Sequence, residues 1–313
     1  MLTNLAVTVA VCTRNRAATL EACLASVAAQ AIDVGTVEVV VVDNGSTDRT
    51  TDVVRDWQAR LPALRSVYEG TIGLSVARNA ALTTARAPIV AFLDDDARAA
   101  PNWLARLVDA FRDDIVVAAG GRVDLVWRSR TPRWMSPDLE PWYSALDLGA
   151  EPRTLGEDEY LVGCNLSVRR AAALAVGGFD PALGRQGDRL RSGEDWLVLD
   201  ALRARGGTVR YVPDAVVHHS VGDERARIRW LVHRAYEQGR TNAVLDGHRT
   251  PQWAASVRAA VGTTRDVVGD VVRWRRGVSV RAALPVVVRR VTGYGYAREC
   301  AQPARRADRR PPG

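Results

Sequence analysis

Short apolar runs and stretches of helical period alternate along the first hundred residues. VTVAVC (7–12) is an unbroken apolar run of strand length and predicts a strand buried on both faces. After it, Leu20, Cys23, Leu24 and Val27 recur at i, i+3, i+4 and i+7, one face of a helix. VEVVVV (37–42) predicts a second buried strand, which ends in the turn and cap formers DNGSTD (43–48). Val53, Val54 and Trp57 mark a second helix, and a short strand near Val67 precedes a third helix start in GLSVARNAAL (73–82). Ile89 to Leu93 read as a strand, followed by a helix face of Trp103, Leu104, Leu107, Val108 and Phe111. Strands alternating with helices predict an α/β fold, a mixed but mostly parallel sheet flanked by helices.

The period lapses in the middle of the chain. Residues 121–160 are rich in Trp, Pro and Arg (Trp127, Trp134, Trp142) and read as long loops over one edge of the sheet. A helix through Leu202 then closes at Gly206-Gly207, and TVRYVPDAVVHHSV (208–221) predicts one or two further strands. Strand alternation puts Val217, His219 and Val221 on one face and His218 on the other. Beyond residue 222 the pattern is helical and rich in arginine, with Val257, Val261, Val268, Val271 and Val272 at roughly helical spacing. The expected organisation is a catalytic domain over 1–222, divided into halves 1–120 and 121–222, a basic helical extension over 223–300 and a disordered tail over 301–313.

Charge sharpens that division. The net charge is +7, and every one of the 43 basic residues is arginine. From Arg225 onward 19 arginines face six acids, whereas the rest of the chain holds 24 arginines and 30 acids. An acidic body thus carries a basic extension. Such an extension fits either helices that expose their arginines to solvent or peripheral contact with an anionic membrane surface. No nucleic-acid-binding module accompanies the charge. Cys12, Cys23, Cys164 and Cys300 are scattered, with no CxxC pair, which argues against a disulfide framework or a cysteine zinc site and for a reducing cytoplasm. No basic segment of a signal peptide precedes the first strand. No apolar run reaches the roughly 20 residues needed to span a bilayer.

Three of the predicted strands end on polar clusters, CTRNR, DNGSTD and DDD, and open α/β sheets bind ligands beyond the carboxyl ends of their strands. Asp94, Asp95 and Asp96 are like charges at the end of a buried strand, an arrangement that raises their pKa values unless a cation compensates. Mn²⁺ or Mg²⁺ shared with substrate phosphates is one compensating arrangement; a solvated loop with one acid capping the next helix is the other. Ser192-Gly193-Glu194-Asp195 likewise has two readings. It matches a capping box whose acids complement the helix dipole, or it presents Asp195 as a general base. Asp43 is either a turn former or an acceptor for a base or ribose; Arg78 is a surface residue or a phosphate partner. His219 is either a packed strand histidine or a ligand.

The order CTRNR, DNGSTD, ARN, FLDDD, GGFD, GED before a helix, then VPDAVVHH, resembles the family 2 glycosyltransferases of the GT-A fold over roughly residues 7–222. YEQGR (236–240) is more loosely similar to the C-terminal helices of that family. The resemblance implies a Rossmann-like nucleotide-binding half holding a sugar nucleotide, most often a UDP-sugar. It implies Thr13, Arg14, Asp43, Arg78, Asp94 and Asp95 on the donor side, with Thr13 and Asp43 at the base and Asp94 at ribose or sugar. It implies Asp96 and His219 at the metal, Asp195 with Glu194 as the catalytic acids, and Asn165, Asp180 and Trp196 toward sugar or acceptor. Processive relatives carry QxxRW after the base. Arg229-Trp230 lacks the preceding Gln, so transfer of a single sugar, with inversion, is expected. Two rival functions are a nucleotidyltransferase on a similar scaffold and a sugar-nucleotide-binding protein without turnover. The first lacks the glycine-rich, lysine-containing phosphate loop that many such enzymes use.

Overall fold

A computed structural model describes residues 5–30, 36–187, 189–249 and 280–301. The valine repeats 257–272 and the tail beyond 301 lie outside the described residues. The chain divides into two compact units, Met1–Ala226 and Arg227–Gly313.

In the first unit the elements follow the predicted alternation: β1 (Val7–Thr13), α1 (Ala17–Ala28), β2 (Val37–Asp43), α2 (Thr50–Arg60), β3 (Leu64–Tyr68), α3 (Leu74–Thr84), β4 (Ile89–Leu93), β5 (Ala97–Ala99) and α4 (Trp103–Ala110). The four residues buried on α1 are Leu20, Cys23, Leu24 and Val27, the predicted face. β6 (Val116–Trp127), a 3₁₀ turn (Pro137–Tyr143), β7 (Arg153–Thr154), β8 (Asn165–Arg169), α5 (Arg170–Ala175), α6 (Glu194–Ala204) and β9 (Thr208–Val221) complete it.

The sheet order is β3-β2-β1-β4-β8-β6-β9-β5, with β7 on β9. β1 to β4 are parallel, β8 runs antiparallel to both β4 and β6, and β9 is parallel to β6. Apolar clusters cover both faces. Val7, Val9, Val39 and Val41 pack toward Leu20, Leu24, Val54 and Leu104 on one side. Ala10, Val40, Val42 and Phe92 face Ala77, Leu82, Phe179 and Leu199 on the other. Burial on both sides is why these strands read as continuous apolar runs.

The expectation of loops over 121–160 is corrected at its start. Residues 121–127 continue β6, which lies inside the sheet between β8 and β9. Gly120 and Gly121 break the apolar pattern because backbone is too close to admit side chains. A Cβ on Gly120 would meet the carbonyl oxygen of Asn165, and one on Gly121 those of Val212 and Ala215. The one or two strands expected from 208–221 form the single strand β9. His219 is buried on it while His218 is half-buried, as alternation requires.

In the second unit α7 (Ile228–Arg249) and α8 (Val280–Cys300) pack together. A Cβ on Gly239 would meet the backbone of Thr292, and one on Gly295 that of Tyr236, so the two helices approach at glycines. Arg240 pairs with Glu237 (3.0 Å) and Glu299 (2.7 Å), which gives the YEQGR stretch a packing role. No helix among the described residues is long and apolar enough to cross a membrane.

Candidate active site

The parallel register sets the floor of the site. Thr13 pairs with Asp43 at the carboxyl ends of β1 and β2, so the CTRNR and DNGSTD loops emerge side by side. Their polar side chains then knit them together. Asn15, in the left-handed region at φ 55°, accepts the Thr47 N–H at 2.7 Å, and Asp48 accepts the Ala17 N–H at 3.3 Å. Asn44 donates to the carbonyls of Glu69 and Thr71 and accepts the Gly73 N–H at 2.8 Å, tying β2 to the start of α3. Asp43 is buried; its Oδ1 accepts the Ser46 N–H (2.9 Å) and its Oδ2 the Thr51 hydroxyl (3.0 Å). Asp43 therefore shapes the turn, while the next residue, Asn44, lines the cleft above it.

β4 delivers the three acids into this cleft, which has a volume of about 180 Å³. Thr13, Arg14, Arg16, Asn44, Arg185 and Arg225 also line it. Asp94 is partly exposed, Asp95 and Asp96 are buried. Burial, reinforced by the charge of Asp96, pushes Asp95 up to about 7, against the pull of Arg16 and the Thr13 hydroxyl. Burial acts on Asp96 in the same sense, yet His219 and Arg225 hold its carboxyl well below the usual range. The adjacent acids Asp95 and Asp96 thus differ because burial outweighs the pull of Arg16 at Asp95, whereas Asp96 is in contact with both Arg225 and His219.

β5 and β9 bring those neighbours in. Ala97 pairs with His219 across the two strands, and the Ser220 N–H donates to the Asp96 carbonyl at 2.8 Å. His219 Nδ1 lies 2.9 Å from the Tyr143 carbonyl, which can only accept, so Nδ1 carries a proton. Nε2 is turned to Asp96 Oδ1 at 3.2 Å. Asp94, Asp96 and His219 each offer one ligand atom, all within 4.8 Å of one another. Two hard carboxylates and an imidazole oriented through its other nitrogen make a donor set suited to Mn²⁺ or Mg²⁺.

Glu194, Asp94 and Gly163 converge on Arg78. This guanidinium is 2% exposed, bonds Glu194 at 2.8 Å and approaches Asp94 at 3.4 Å. Burial disfavours its charge, but Glu194, Asp94 and Asp195 raise its pKa on balance. It lies over the rings of Phe92 and Phe179, which meet edge to face. Gly163 lies close beside it: a Cβ there would fall 2.7 Å from Nη1. The Gly163 N–H also donates to Asp195 Oδ2 at 3.0 Å. One backbone position therefore touches both the Arg78 strut and the expected base. Burial, with the charge of Asp195, pushes Glu194 up to about 7. Gly193, at φ 91°, rather than Ser192, stands before α6, so the helix start differs from the capping box read in the sequence.

Other expected site residues have structural partners. Asn165 is fully buried: it accepts the Trp103 indole N–H (2.8 Å) and donates to the carbonyls of Arg122 and Ala215. It joins three elements instead of facing a ligand, because β8 lies inside the sheet. In GGFD, Phe179 is core and its backbone is bonded twice by Asn79, while Asp180 accepts the Ala182 N–H in a turn. Trp196 is half-buried next to Asp195. Sequence reasoning missed Arg16, Asn44, Arg185 and Arg225. Arg225 in particular reads as the first arginine of the basic extension, and no local pattern ties it to Asp96.

Comparison with known proteins bears on the family and the fold. Residues 8–176 match the family model described as glycosyl transferase family 2. The chain is 30% identical over 244 residues to the succinoglycan biosynthesis protein ExoM of Rhizobium meliloti, covering 77% of this chain and 75% of that protein. The mannosyltransferase PcManGT from Pyrobaculum calidifontis, solved in complex with GDP-Man and Mn²⁺, superposes with a TM-score of 0.63 at 23% identity, covering 95% and 88% of the two chains. S. aureus TarS 1–349 in complex with UDP superposes at 0.53 and 21% identity; the match covers 74% of this chain and 65% of that one. Both solved structures share the GT-A architecture, with its mixed sheet and flanking helices. The strand-end acids, the sheet order and the family match coincide on one stretch of chain, and the protein is a glycosyltransferase belonging to glycosyl transferase family 2.

Proposed function

We propose that the protein is an inverting glycosyltransferase that moves a single sugar from a nucleotide-sugar donor to an acceptor hydroxyl. The observation that carries this reading is the convergence of Asp94, Asp96 and His219 within 4.8 Å in a cleft also lined by arginines. The donor is read as a UDP-sugar, from the family resemblance and the UDP complex of TarS; the GDP-Man complex of PcManGT keeps GDP-sugars in the test panel.

Thr13, Asn44 and the loops they belong to cradle the nucleoside. Arg14, Arg16 and Arg185 face the diphosphate, whose charge their guanidinium forks match. Asp94, Asp96 and His219 would hold Mn²⁺ or Mg²⁺, which supplies positive charge against the departing diphosphate. Asp195 accepts the proton of the acceptor hydroxyl; the acceptor oxygen bonds to the anomeric carbon as the bond to the diphosphate breaks on the opposite face. Glu194 and Arg78 hold α6 and Asp94 in register, so that base and leaving group lie on opposite sides of the sugar. The basic extension holds the enzyme at an anionic membrane surface, on the cytoplasmic face.

The test is transfer or donor hydrolysis across UDP- and GDP-sugars with Mn²⁺, with and without EDTA. Activity with at least one donor, lost in EDTA, is expected. The absence of both turnover and calorimetric binding for every donor defeats the proposal. Asp195→Asn should lower kcat by about 10² to 10⁴-fold, the usual contribution of a general base, while donor Kd stays unchanged. An active Asp195→Asn enzyme would move the base elsewhere.

A further inference from the structure

We infer that Arg225 is a built-in counter-ion of the metal site, competing with the divalent ion for Asp96 and His219, so that ion binding releases its guanidinium into the diphosphate cleft. This rests on the proposed reading of Asp96 and His219 as metal ligands.

The geometry is specific. Arg225 Nη2 lies 2.9 Å from Asp96 Oδ2, and Nη1 lies 3.4 Å from His219 Nε2. With Nδ1 committed to the Tyr143 carbonyl, Nε2 is the nitrogen that can bind a metal. Arg225 therefore engages two of the three groups that would bind the ion, and it is only 4% exposed. A guanidinium is a donor with no lone pair to offer, and the Nε2 lone pair it approaches is single, so at His219 it stands where the ion would bind, while at Asp96 it holds one carboxylate oxygen. Two positive centres sharing one carboxylate at contact distance also repel strongly in a buried site.

The backbone around Arg225 is held while its side chain reaches inward. The Arg225 N–H donates to the Gly222 carbonyl at 2.9 Å, and the Tyr143 hydroxyl donates to the Arg225 carbonyl at 3.2 Å. The Tyr143 carbonyl orients His219, so one residue braces both the ligand and its competitor. Arg225 lines the same cleft as Arg14, Arg16 and Arg185. Once displaced, its charge joins theirs, and ion binding strengthens the grip on the donor diphosphate. The arginine also protects the cleft from an uncompensated buried carboxylate, which is costly to leave unpaired.

The test measures Mn²⁺ binding to the full chain without nucleotide, by electron paramagnetic resonance of free Mn²⁺. Arg225→Gln should bind Mn²⁺ about tenfold more tightly or better, the effect of losing one charge-assisted competitor. Arg225→Lys, which keeps the charge, should stay near the unsubstituted protein. Asp96→Asn added to Arg225→Gln should abolish the gain. Equal affinity in the unsubstituted protein and Arg225→Gln, weaker binding in Arg225→Gln, or a gain that survives Asp96→Asn each overturns the inference while leaving the metal reading standing. If none of the proteins binds Mn²⁺ yet sugar transfer proceeds, the metal reading falls and the inference with it. Should Arg225→Gln not fold, the unsubstituted chain suffices. Its guanidinium protons, slowed by the Asp96 bond and identified against Arg225→Lys in ¹⁵N-arginine spectra, should lose protection on Mg²⁺ addition; retained protection at saturating Mg²⁺ overturns the inference.

Discussion

At the residue scale, three adjacent aspartates follow three different rules. Asp94 faces the cleft and the Arg78 strut, Asp96 is held ionised by His219 and Arg225, and at Asp95 burial outweighs the pull of Arg16. Asp95 supports a prediction with a definite sign. In the folded chain its proton stays until about pH 7, whereas in the unfolded chain it leaves near pH 4. Between those values the folded state binds more protons, so its contribution to stability declines as pH rises. Urea unfolding in EDTA should show the stability of the unsubstituted protein, relative to Asp95→Asn, falling between pH 5 and pH 7. A pH-independent difference would mean that Asp95 is ionised throughout. DDD was visible in the sequence as a charge problem. That Asp95 and Asp96 would part company was not, because Asp96 is held low by residues as far away as 219 and 225, which Asp95 does not meet.

At the scale of elements, the legible features were those whose cause is local. The face of α1, the end of β4 and the alternation along β9 all follow from repeats of two to seven residues, and the structure has them where the sequence put them. β6 was misread because its defining contacts are not local. Gly120 and Gly121 look like breakers in sequence, yet they let β8 and β9 approach the strand from either side. Gly121→Ala should cost about 3 kcal/mol of unfolding free energy, the upper end of overpacking penalties, because backbone carbonyls rather than flexible side chains stand in the way. Denaturant unfolding checks this; a loss below about 1 kcal/mol would mean that β9 can shift to accommodate the methyl group. The same reasoning covers Asn165. Its residue type reads as a ligand group, but its place inside the sheet commits every polar atom to protein partners.

For the whole molecule, charge and architecture divide near the same point. The first unit ends at Ala226, so Arg225, which opens the arginine-rich stretch in sequence, belongs to the first unit, where it pairs with Asp96. The remaining surplus of arginines lies in the second unit. If that surplus serves the membrane, the full chain should co-sediment with vesicles rich in anionic lipid, ignore zwitterionic ones, and be released by salt as the Debye length shortens. Sedimentation indifferent to lipid charge would leave the arginines as a solvated helix face.

The sequence by itself determined most of the strand–helix alternation of the first hundred or so residues, the strand-end acids and the family, because these are written in short-range periodicity and in the order of motifs along the chain. Only the tertiary structure decided which groups share the site. The insertion of β8 and the β5–β9 pairing carry Asp96 to His219 and Arg225, and the packing of α3 against the α6 start carries Arg78 to Glu194. Those meetings join residues more than a hundred positions apart, and they depend on sheet order, register and glycine-sized gaps that no local pattern encodes.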